Sequence, residues 1–334
     1  MIGKIKSILK KIPPFGLLIK SLGKVKNFFG TVSFKIKIRK YNNINKKRVV
    51  SELKSAILNN KKYAAAKLGT TEQQILYYEI ILNKPNNSNA LPDFEKQLYE
   101  SFSKNAGVFP SEKNFILDYA KYFGSGVTNL DCLGLFYQTR EIEILQHYNF
   151  KNYTTFFMNQ EPDRSSPNND ALCYLPFFKD KKILIICPFA DFLKERANKE
   201  TFESVWSKTG KKWFYPKSVE SIEFPYGLSK STQEKYLNAF NLIKDIEEKI
   251  KKIDFDIALI AAGGIAIPLT SFVKDIGKIG ISLGGHLQVL FGVLGGRWRD
   301  NKEWKKRYIN EYWVNVPDRY VPKEGKEREN NCYW

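Results

Sequence analysis

Four short segments of the sequence carry residue types that could bind a ligand or move a proton. They are LGTTE at 68–72, CPFAD at 187–191, AAGGIA at 261–266 and SLGGH at 282–286. The last two carry paired glycines just before a predicted helix, where missing Cβ atoms allow close approach and free N–H groups can hold a phosphate. The pattern indicates a phosphate-containing ligand, although paired glycines also serve simply to turn a strand into a helix.

Glu72 and His286 are the titratable side chains of these segments with the widest chemical use. Glu72 could bind a metal, accept a proton or hydrogen-bond a sugar hydroxyl. In the alternative interpretation it is a first-turn acid favoured by the helix dipole, beside a capping box of Thr70 and Gln73. His286, one of two histidines, could reach the same ligand or could cap a helix at the surface.

Two more side chains with a use in binding follow at Arg297 and Trp298. A guanidinium offers a fixed fork for a diphosphate or carboxylate, and an indole offers a flat face for a sugar or base. The alternative is an arginine bonded to the last carbonyls of a sheet and a tryptophan that packs in the core. The pattern favours binding for Arg297 and packing for Trp298.

The elements that must position these residues follow an α/β pattern. Apolar strands alternate with helices through KKILIICPF, FDIALIAAGG, IAIPLTSFVKDIG, KIGISLGG and HLQVLFGVLG. Continuous apolar strands of this kind are buried in parallel sheets. The sequence predicts an α/β fold with a Rossmann-like open, mostly parallel sheet and helices on both faces. Ligands bind such sheets at the carboxyl ends of the strands, where the four segments lie.

Helical spacing adds detail to this prediction. It predicts helices at 49–59, 70–82, 93–106, 111–122 and 231–253, the last opened by a capping box of Ser231 and Glu234. Gly124-Ser125-Gly126 is expected to interrupt the pattern. The polar stretch NQEPDRSSPNND at 159–170 is expected to be a flexible lid or a joint between subdomains.

Charge divides the chain into two parts. Of its 334 residues 43% are hydrophobic, as in a globular protein, and the net charge is +19. The first 50 residues hold 14 Lys or Arg and no acid, which leaves 40 basic against 35 acidic residues in the remainder. Residues 1–48 are therefore predicted to be a basic amphipathic segment and residues 49–334 an α/β domain.

The basic segment can form a helix with one apolar face, made of Ile2, Ile5, Ile8, Leu9 and Ile12. Such a helix could lie on an anionic membrane surface, or it could be a loosely ordered arm or dock on its own domain. Lysines interrupt each apolar run before about 18 residues, so neither a membrane span nor a signal peptide is expected. We expect a cytoplasmic protein, which the membrane interpretation of the basic segment places at the inner face of the membrane.

Several function classes lack their motifs in this sequence. Cys132, Cys173, Cys187 and Cys332 form no C-x-x-C pair, which fits a reducing compartment and argues against a zinc site. The chain has no G-x-S-x-G, no G-x-x-x-x-G-K-[ST] and no early G-x-G-x-x-G. No nucleic-acid-binding motif occurs, and the positive charge is segregated, so no specific nucleic acid is expected as a partner.

Several blocks of the sequence together resemble a known family. AAKLGTTEQQIL, DFDIALIAAGGIAIPLTSFVKDIGKIGISLGGHLQVLFGVLGGRW, YINEYWVNVP and CYW occur in this order between residues 50 and 334. They resemble bacterial GT-D-like proteins, which are similar to the GT-D-fold glycosyltransferases of surface-glycan and glycoprotein biosynthesis. The resemblance implies a cytoplasmic enzyme that transfers a sugar from a nucleotide-sugar donor to a glycan, lipid-linked or glycoprotein acceptor, with no organic cofactor.

The resemblance also implies an Asp-x-Glu motif that assists through Mn²⁺ or Mg²⁺. This chain has Thr70-Thr71-Glu72 there, so Glu72 is the one carboxylate of the motif and the need for a metal is open. The expected catalytic residues are Glu72 and, as base, His286 or Asp131. The expected substrate-binding residues are Gly69, Thr70, Thr71, Gly263, Gly264, Gly284, Gly285, Gln288, Arg297, Trp298 and Asn310.

Two other functions compete with glycosyl transfer. A Rossmann-fold methyltransferase could use LIAAGGIA as its glycine turn, although that turn comes late in the chain. A non-catalytic binding or scaffold protein of the same pathway would explain the missing aspartate, whereas the polar groups retained at the strand ends favour an enzyme.

Overall fold

A computed structural model of the protein describes residues 45–83, 91–136, 138–162, 173–323 and 333–334, together with residues 32, 34, 36–38 and 41. The amphipathic helix predicted at 2–12 lies outside the described residues. Within the described ranges, none of the helices combines the length and the apolar character needed to cross a membrane.

A seven-stranded, fully parallel sheet forms the centre of the molecule. Its strands are β1 (Tyr63–Lys67), β2 (Cys132–Leu135), β3 (Tyr153–Phe156), β4 (Lys182–Ile186), β5 (Ser218–Ile222), β6 (Ile257–Ile260) and β7 (Ile279–Ser282). They lie in the order β3-β2-β1-β7-β6-β4-β5, and each neighbouring pair runs parallel. The predicted Rossmann-like α/β sheet is confirmed.

Helices cover both faces of this sheet. They are α1 (Lys46–Leu58), α2 (Thr70–Leu82), α3 (Leu91–Ala106), α4 (Lys113–Asn129), α5 (Thr139–His147), α6 (Ala190–Arg196), α7 (Lys199–Val205), α8 (Lys230–Tyr236), α9 (Ala239–Ile250), α10 (Ala266–Asp275), α11 (His286–Leu290), α12 (Gly296–Arg299) and α13 (Lys302–Arg307). Short 3₁₀ helices occupy Phe157–Gln160, Leu175–Phe178, Ser207–Thr209, Gly263–Ile265 and Asp318–Tyr320. A small second sheet pairs β8 (Val293–Leu294) with β9 (Val314–Asn315).

The two faces of the sheet bury separate hydrophobic clusters. Along β1, Ala64 and Ala66 join the cluster on one face, whereas Tyr63 and Ala65 join the cluster on the other. This alternation follows from the two-residue repeat of a strand. Because both faces are covered, the central strands β1, β4, β6 and β7 are apolar at almost every position, which is why the sequence shows continuous apolar runs.

The helix predicted at 231–253 is wrong as a single element, because the chain forms α8 and α9 with a break between them. Leu237 has a φ of +59° and Asn238 caps α9 by accepting a hydrogen bond from the Asn241 N–H. The Ala239 N–H also donates to the Phe109 carbonyl at 2.8 Å, which fixes the break. The predicted capping box of Ser231 and Glu234 is not formed, since α8 begins after Ser229.

The predicted interruption at 124–126 is also wrong, because α4 continues through these residues. A Cβ at Gly124 would lie only 2.8 Å from Cδ1 of Tyr148, so this glycine lets the tyrosine ring pack on the helix. The glycines therefore serve close packing between helices and do not end the helix.

Part of the predicted basic segment belongs to the core. Phe34 and Ile38 are buried in the cluster that packs against α2 and α4, and the Tyr41 carbonyl accepts a hydrogen bond from the Thr154 hydroxyl in β3. The packed body of the protein therefore includes residues that precede the boundary drawn at residue 48.

Candidate functional site

A cavity of about 620 Å³ opens at the carboxyl edge of the sheet. Residues that follow all seven strands line it, and so do residues from the end of α3 and from α12. At its centre β1 lies beside β7, where the two halves of the chain meet in the sheet. Open α/β sheets bind ligands at such a crevice, because the connections diverge there and leave room between the strand ends.

The two glycine turns stand at the middle of this cavity. Gly263 follows β6 with a φ of +50°, and Gly284 follows β7 with a φ of +54°. This left-handed conformation costs a side-chain-bearing residue about 1 kcal/mol or more, which explains glycine at both positions. Gly264 accepts a hydrogen bond on its carbonyl from the fully buried Tyr119 hydroxyl at 2.8 Å, which holds the first turn in place.

The segment after β1 differs from its predicted local structure. Gly69, and not Thr70, is the N-cap of α2, and the Gln73 side chain is buried and donates to the Leu68 carbonyl. The predicted capping box is therefore wrong, because Gln73 is used to join the strand to the helix. Thr70, Thr71 and Glu72 are left facing the cavity, with the Glu72 carboxylate folded back against Gly69.

Beneath the cavity lies a cluster of three charged or titratable side chains: Lys67, Glu161 and His286. Lys67 Nζ is 3.1 Å from Glu161 Oε1, and the same oxygen pairs with His286 Nδ1. Their side chains are 16%, 3% and 14% exposed, respectively. A carboxylate so deeply buried needs polar partners, because an unpaired charge in this environment would cost several kcal/mol.

Glu161 is held in the cluster by the short segment that follows β3. Gln160 Nε2 donates to the Ala66 carbonyl at 3.0 Å and to the Cys132 carbonyl at 3.3 Å, so it bridges β1 and β2. The Tyr174 hydroxyl donates to the Gln160 carbonyl at 2.8 Å. The beginning of the predicted lid at 159–170 is therefore buried and fixed; residues 163–172 lie outside the described part of the chain.

The contact with Glu161 gives His286 a defined chemistry. An imidazole whose Nδ1 faces a carboxylate keeps a proton on Nδ1, which makes Nε2 of the neutral ring the proton acceptor. The ring lines the cavity and packs edge-on against Trp298, with centroids 5.8 Å apart. The arrangement can accept a proton from a bound hydroxyl and stabilise the resulting imidazolium.

Arg297, Trp298 and Gln288 form another wall of the cavity. The Arg297 guanidinium lies 5.6 Å from the Trp298 ring centroid and 5.5 Å from that of Tyr333. Trp298 is buried, as the packing interpretation expects, yet it also borders the cavity. Gln288 is buried and donates to the Tyr333 carbonyl at 3.1 Å, so it positions Tyr333. Gly285 leaves room there for the Trp298 and Tyr333 rings.

Three expected site residues do not reach the cavity. Asp131 precedes β2 at the amino edge, where it accepts a hydrogen bond from the Ala64 N–H and pairs with Lys274, so the structure does not bring it to the site as a base. Asn310 donates to the Ser204 and Val205 carbonyls. Gly264 packs against Ala106 and Val108. These residues stabilise the fold around the site.

Several cavity residues were missed from the sequence. Lys67, Glu161, Tyr226 and Trp334 were not predicted as site residues. A signal for Glu161 exists: YTTFF at 153–157 has the β-branched and aromatic composition of a strand, and Glu161 follows its carboxyl end. The polar residues after Glu161 hid this signal.

A divalent metal would need oxygen ligands besides Glu72. The described residues contain no group of three or more His, Cys, Asp or Glu side chains placed to hold a metal ion. Thr70, which stands at the aspartate position of the family motif, offers only a neutral hydroxyl, and hard divalent ions prefer carboxylates. The residues present do not fit the metal that the resemblance implies.

Comparison of the chain with family profiles, with curated proteins and with solved structures finds no match. The function must therefore be inferred from the geometry of the cavity and its residues.

Proposed function

We propose that the protein is a glycosyltransferase that moves a sugar from a nucleotide-sugar donor to a hydroxyl of a glycan, a lipid-linked glycan or a glycoprotein. The observation that carries this proposal is the Lys67–Glu161–His286 cluster beneath a cavity whose centre holds two glycine turns. It combines a proton acceptor with two glycine turns that leave room for a phosphate beside the backbone, and the reaction requires both a base and a held phosphate.

The diphosphate of the donor is assigned to the turns at Gly263 and Gly284, with Arg297 as a charged partner. Lys67, Lys104, His286 and Arg297 line the cavity, whereas Glu72 is the one acidic side chain among the described lining residues. This excess of basic groups favours an anionic ligand. It also stabilises the negative charge that the leaving diphosphate gains as the sugar departs.

The transfer step follows from this placement. The acceptor oxygen forms a bond to the anomeric carbon of the sugar, the bond from that carbon to the phosphate oxygen breaks, and its electron pair leaves with the diphosphate. His286 accepts the acceptor's proton on Nε2. Glu161 is a positioning residue, because it orients the ring and stabilises the imidazolium. Glu72 hydrogen-bonds the donor sugar, with Thr70 and Thr71 beside it.

A non-catalytic nucleotide-sugar-binding protein is the second candidate. Thr70-Thr71-Glu72 favours it, because this segment lacks the carboxylate pair that the resemblance implies. Such a protein would bind the donor through the same turns but would not need a histidine held by a buried carboxylate. Turnover therefore separates the two functions.

The proposal is tested first by binding and then by turnover. The full chain is screened by thermal shift against UDP-, GDP-, CMP- and dTDP-sugars, each with and without Mn²⁺, and against S-adenosylmethionine. We expect stabilisation by one nucleotide family. Stabilisation by S-adenosylmethionine alone would indicate a methyltransferase instead.

With the donor identified, the histidine variants distinguish an enzyme from a binding protein. His286→Asn keeps a donor toward Glu161 but removes Nε2, and we expect it to lower the rate of donor hydrolysis or transfer about 10²-fold while donor affinity stays unchanged. Glu72→Gln should lower turnover too. Donor binding without turnover in the wild-type protein would favour the second candidate.

The basic segment is proposed to bring the enzyme to the cytoplasmic face of the membrane. Residues 1–31 hold seven lysines and no acidic residue, which favours anionic lipids over neutral ones. The full chain should sediment with vesicles that contain phosphatidylserine or phosphatidylglycerol, and a chain that lacks residues 1–31 should not. Equal sedimentation of both chains would contradict this role.

A further inference from the structure

We infer that Tyr226, Tyr333 and Trp334 form a subsite for the nucleobase of the donor, next to the Arg297 guanidinium; we call it the aromatic end of the cavity. This inference rests on the proposed function and specifies which part of the donor binds where. It starts from the Tyr226 and Trp334 rings, which meet edge to face with centroids 5.4 Å apart and line the cavity beyond β5.

The order of the strands sets the direction in which a nucleotide sugar can lie. The phosphate-binding turns follow β6 and β7, in the middle of the edge, and the residues suited to the sugar follow β1 on one side of them. A nucleotide sugar is linear, with the diphosphate between the sugar and the nucleoside. The nucleoside must therefore extend to the other side, past β4 toward β5, where Tyr226 lies.

The aromatic end has the chemistry that a base requires. Tyr333 and Trp334 present rings at a 6.2 Å centroid spacing, and the Arg297 guanidinium lies against the Tyr333 ring. Aromatic rings and guanidinium planes are the groups on which proteins stack nucleobases. Gln288 donates a hydrogen bond to the Tyr333 carbonyl, and Gly285 leaves room for the Tyr333 ring at this wall.

Trp334 adds a polar feature that points to a ligand. Its Nε1 is buried, and in the described part of the chain this donor has no hydrogen-bond acceptor. A buried donor without a partner costs about 1–3 kcal/mol, so such groups usually find an acceptor. A ring carbonyl of a nucleobase stacked in the aromatic end would accept this hydrogen bond.

The opposite end of the cavity lacks this combination. Phe136 and Phe157 lie there, stacked on each other with centroids 4.2 Å apart and an interplanar angle of 16°. Each ring already occupies one face of the other, and neither carries a hydrogen-bonding group. That end is less suited to reading a base, and it lies beside Glu72 and His286, where the acceptor must enter.

The test compares nucleotide and pyrophosphate binding in the full-length protein and its Trp334→Phe variant. A phenylalanine at residue 334 keeps an aromatic ring there but lacks the indole Nε1–H donor. We expect the Kd of the nucleoside diphosphate that binds best to rise about three- to tenfold, as the loss of one hydrogen bond predicts, while the Kd of pyrophosphate is unchanged. Isothermal titration calorimetry at fixed salt measures both constants.

Trp313→Phe is the matched control. The Trp313 indole donates to the Val205 carbonyl at 3.1 Å and is not among the described residues that line the cavity. This variant should lower the melting temperature but leave both dissociation constants unchanged. Tyr226→Leu, which removes one ring of the aromatic end, should weaken nucleotide binding and spare pyrophosphate, and it provides an answer if Trp334→Phe folds poorly.

The outcomes separate this inference from the proposed function. An unchanged nucleotide Kd in both cavity variants, or an equal loss of pyrophosphate affinity, would overturn the nucleobase subsite and leave glycosyl transfer standing. If neither nucleotides nor pyrophosphate bind the wild-type protein, the proposed function fails and the inference fails with it.

Discussion

Two lysine–carboxylate pairs lie at opposite edges of the same sheet, and they are built differently. At the amino edge, Asp131 pairs with Lys274 at 2.8 Å, and both also bond to backbone groups, the Ala64 N–H and the Asn129 carbonyl. At the carboxyl edge, Lys67 and His286 both contact the Glu161 carboxylate, and the three side chains lie beneath the cavity.

The difference shows how the surroundings of a charged pair indicate its use. Asp131 and Lys274 satisfy backbone groups left over where strands and helices begin and end, which is a structural task. Glu161 instead pairs with a lysine and an imidazole, which are groups that can change protonation or contact a ligand. Carboxylates alone therefore do not identify a site, whereas their partners do.

Removing the carboxylate at the carboxyl edge should have the largest effect. Glu161→Gln leaves the ring without its anionic partner, and we expect kcat to fall about 10²-fold while the donor KM changes little. Glu161→Asp should restore part of the rate, whereas a purely structural role would lower kcat only in step with the folded fraction. Steady-state kinetics and circular dichroism of all three proteins decide between these outcomes.

Removing the carboxylate at the amino edge should affect stability and not catalysis. Asp131→Ala leaves the Ala64 N–H without its acceptor and breaks the pair with Lys274, for a loss of about 2 kcal/mol. We expect a lower melting temperature with unchanged donor affinity and turnover below the transition. A loss of turnover at full folding would return Asp131 to the list of candidate bases.

The backbone also differs between the two edges, as two glycines with positive φ show. Gly284 at the carboxyl edge and Gly277 before β7 at the amino edge have φ values of +54° and +82°. Alanine should cost about 1 kcal/mol of stability at each. A Cβ at residue 284 would also lie 2.9 Å from Lys67 Cε, whereas a Cβ at residue 277 would meet nothing within 4 Å.

We therefore expect Gly284→Ala to weaken donor binding and disturb the cluster, and Gly277→Ala to change stability alone. Melting temperatures and donor Kd values of the two variants test this. Equal donor affinity in both would show that the turn after β7 does not contact the diphosphate.

The smallest expected effect concerns a third carboxylate at the carboxyl edge. Burial, and then the negative charge of Asp191, raise the pKa of Glu223 above its ordinary value. The folded state therefore binds this proton more tightly than the unfolded state, and stability is lost as the pH rises through that pKa. Glu223→Gln should raise the melting temperature slightly at pH 7 and leave it unchanged near pH 4.

Glu220→Gln is the control for this variant. Glu220 pairs with Lys194 at the surface at 2.8 Å, so its removal should not stabilise the protein at pH 7. A stabilisation of equal size in both variants would point to net charge and not to the surroundings of Glu223.

The sheet was predictable from the sequence, because strands buried on both faces leave continuous apolar runs such as KKILIICPF and FDIALI. The strands β2, β3 and β5 were not identified, since CLGL, YTTF and SVESI are short or only partly apolar. The positions of Gly263, Gly284, Glu72 and His286 at one edge followed from strand ends alone.

The rest of the site depends on contacts that local patterns do not contain. Glu161 reaches His286 across 125 positions of sequence through a bend that Gln160 and Tyr174 fix, and Trp334 reaches Tyr226 from another part of the chain. Asp131 was placed wrongly for a different reason: β2 was not identified as a strand, and its position directly before β2 puts Asp131 at the amino edge. The spacing of apolar residues predicts helices and strands. The Lys67–Glu161–His286 cluster, in contrast, forms only when distant elements pack together.

The bridge that Gln160 makes between β1 and β2 limits how this segment of the protein can be changed. Surface loops usually tolerate inserted residues, but each residue added between Phe156 and Glu161 would displace the carboxylate by about 3.5 Å. That shift exceeds the 3.1 Å that separates Lys67 from Glu161. The length of this segment is therefore as restrictive as the identity of its residues, and a loop exchanged into this position must keep the same number of residues to retain the cluster.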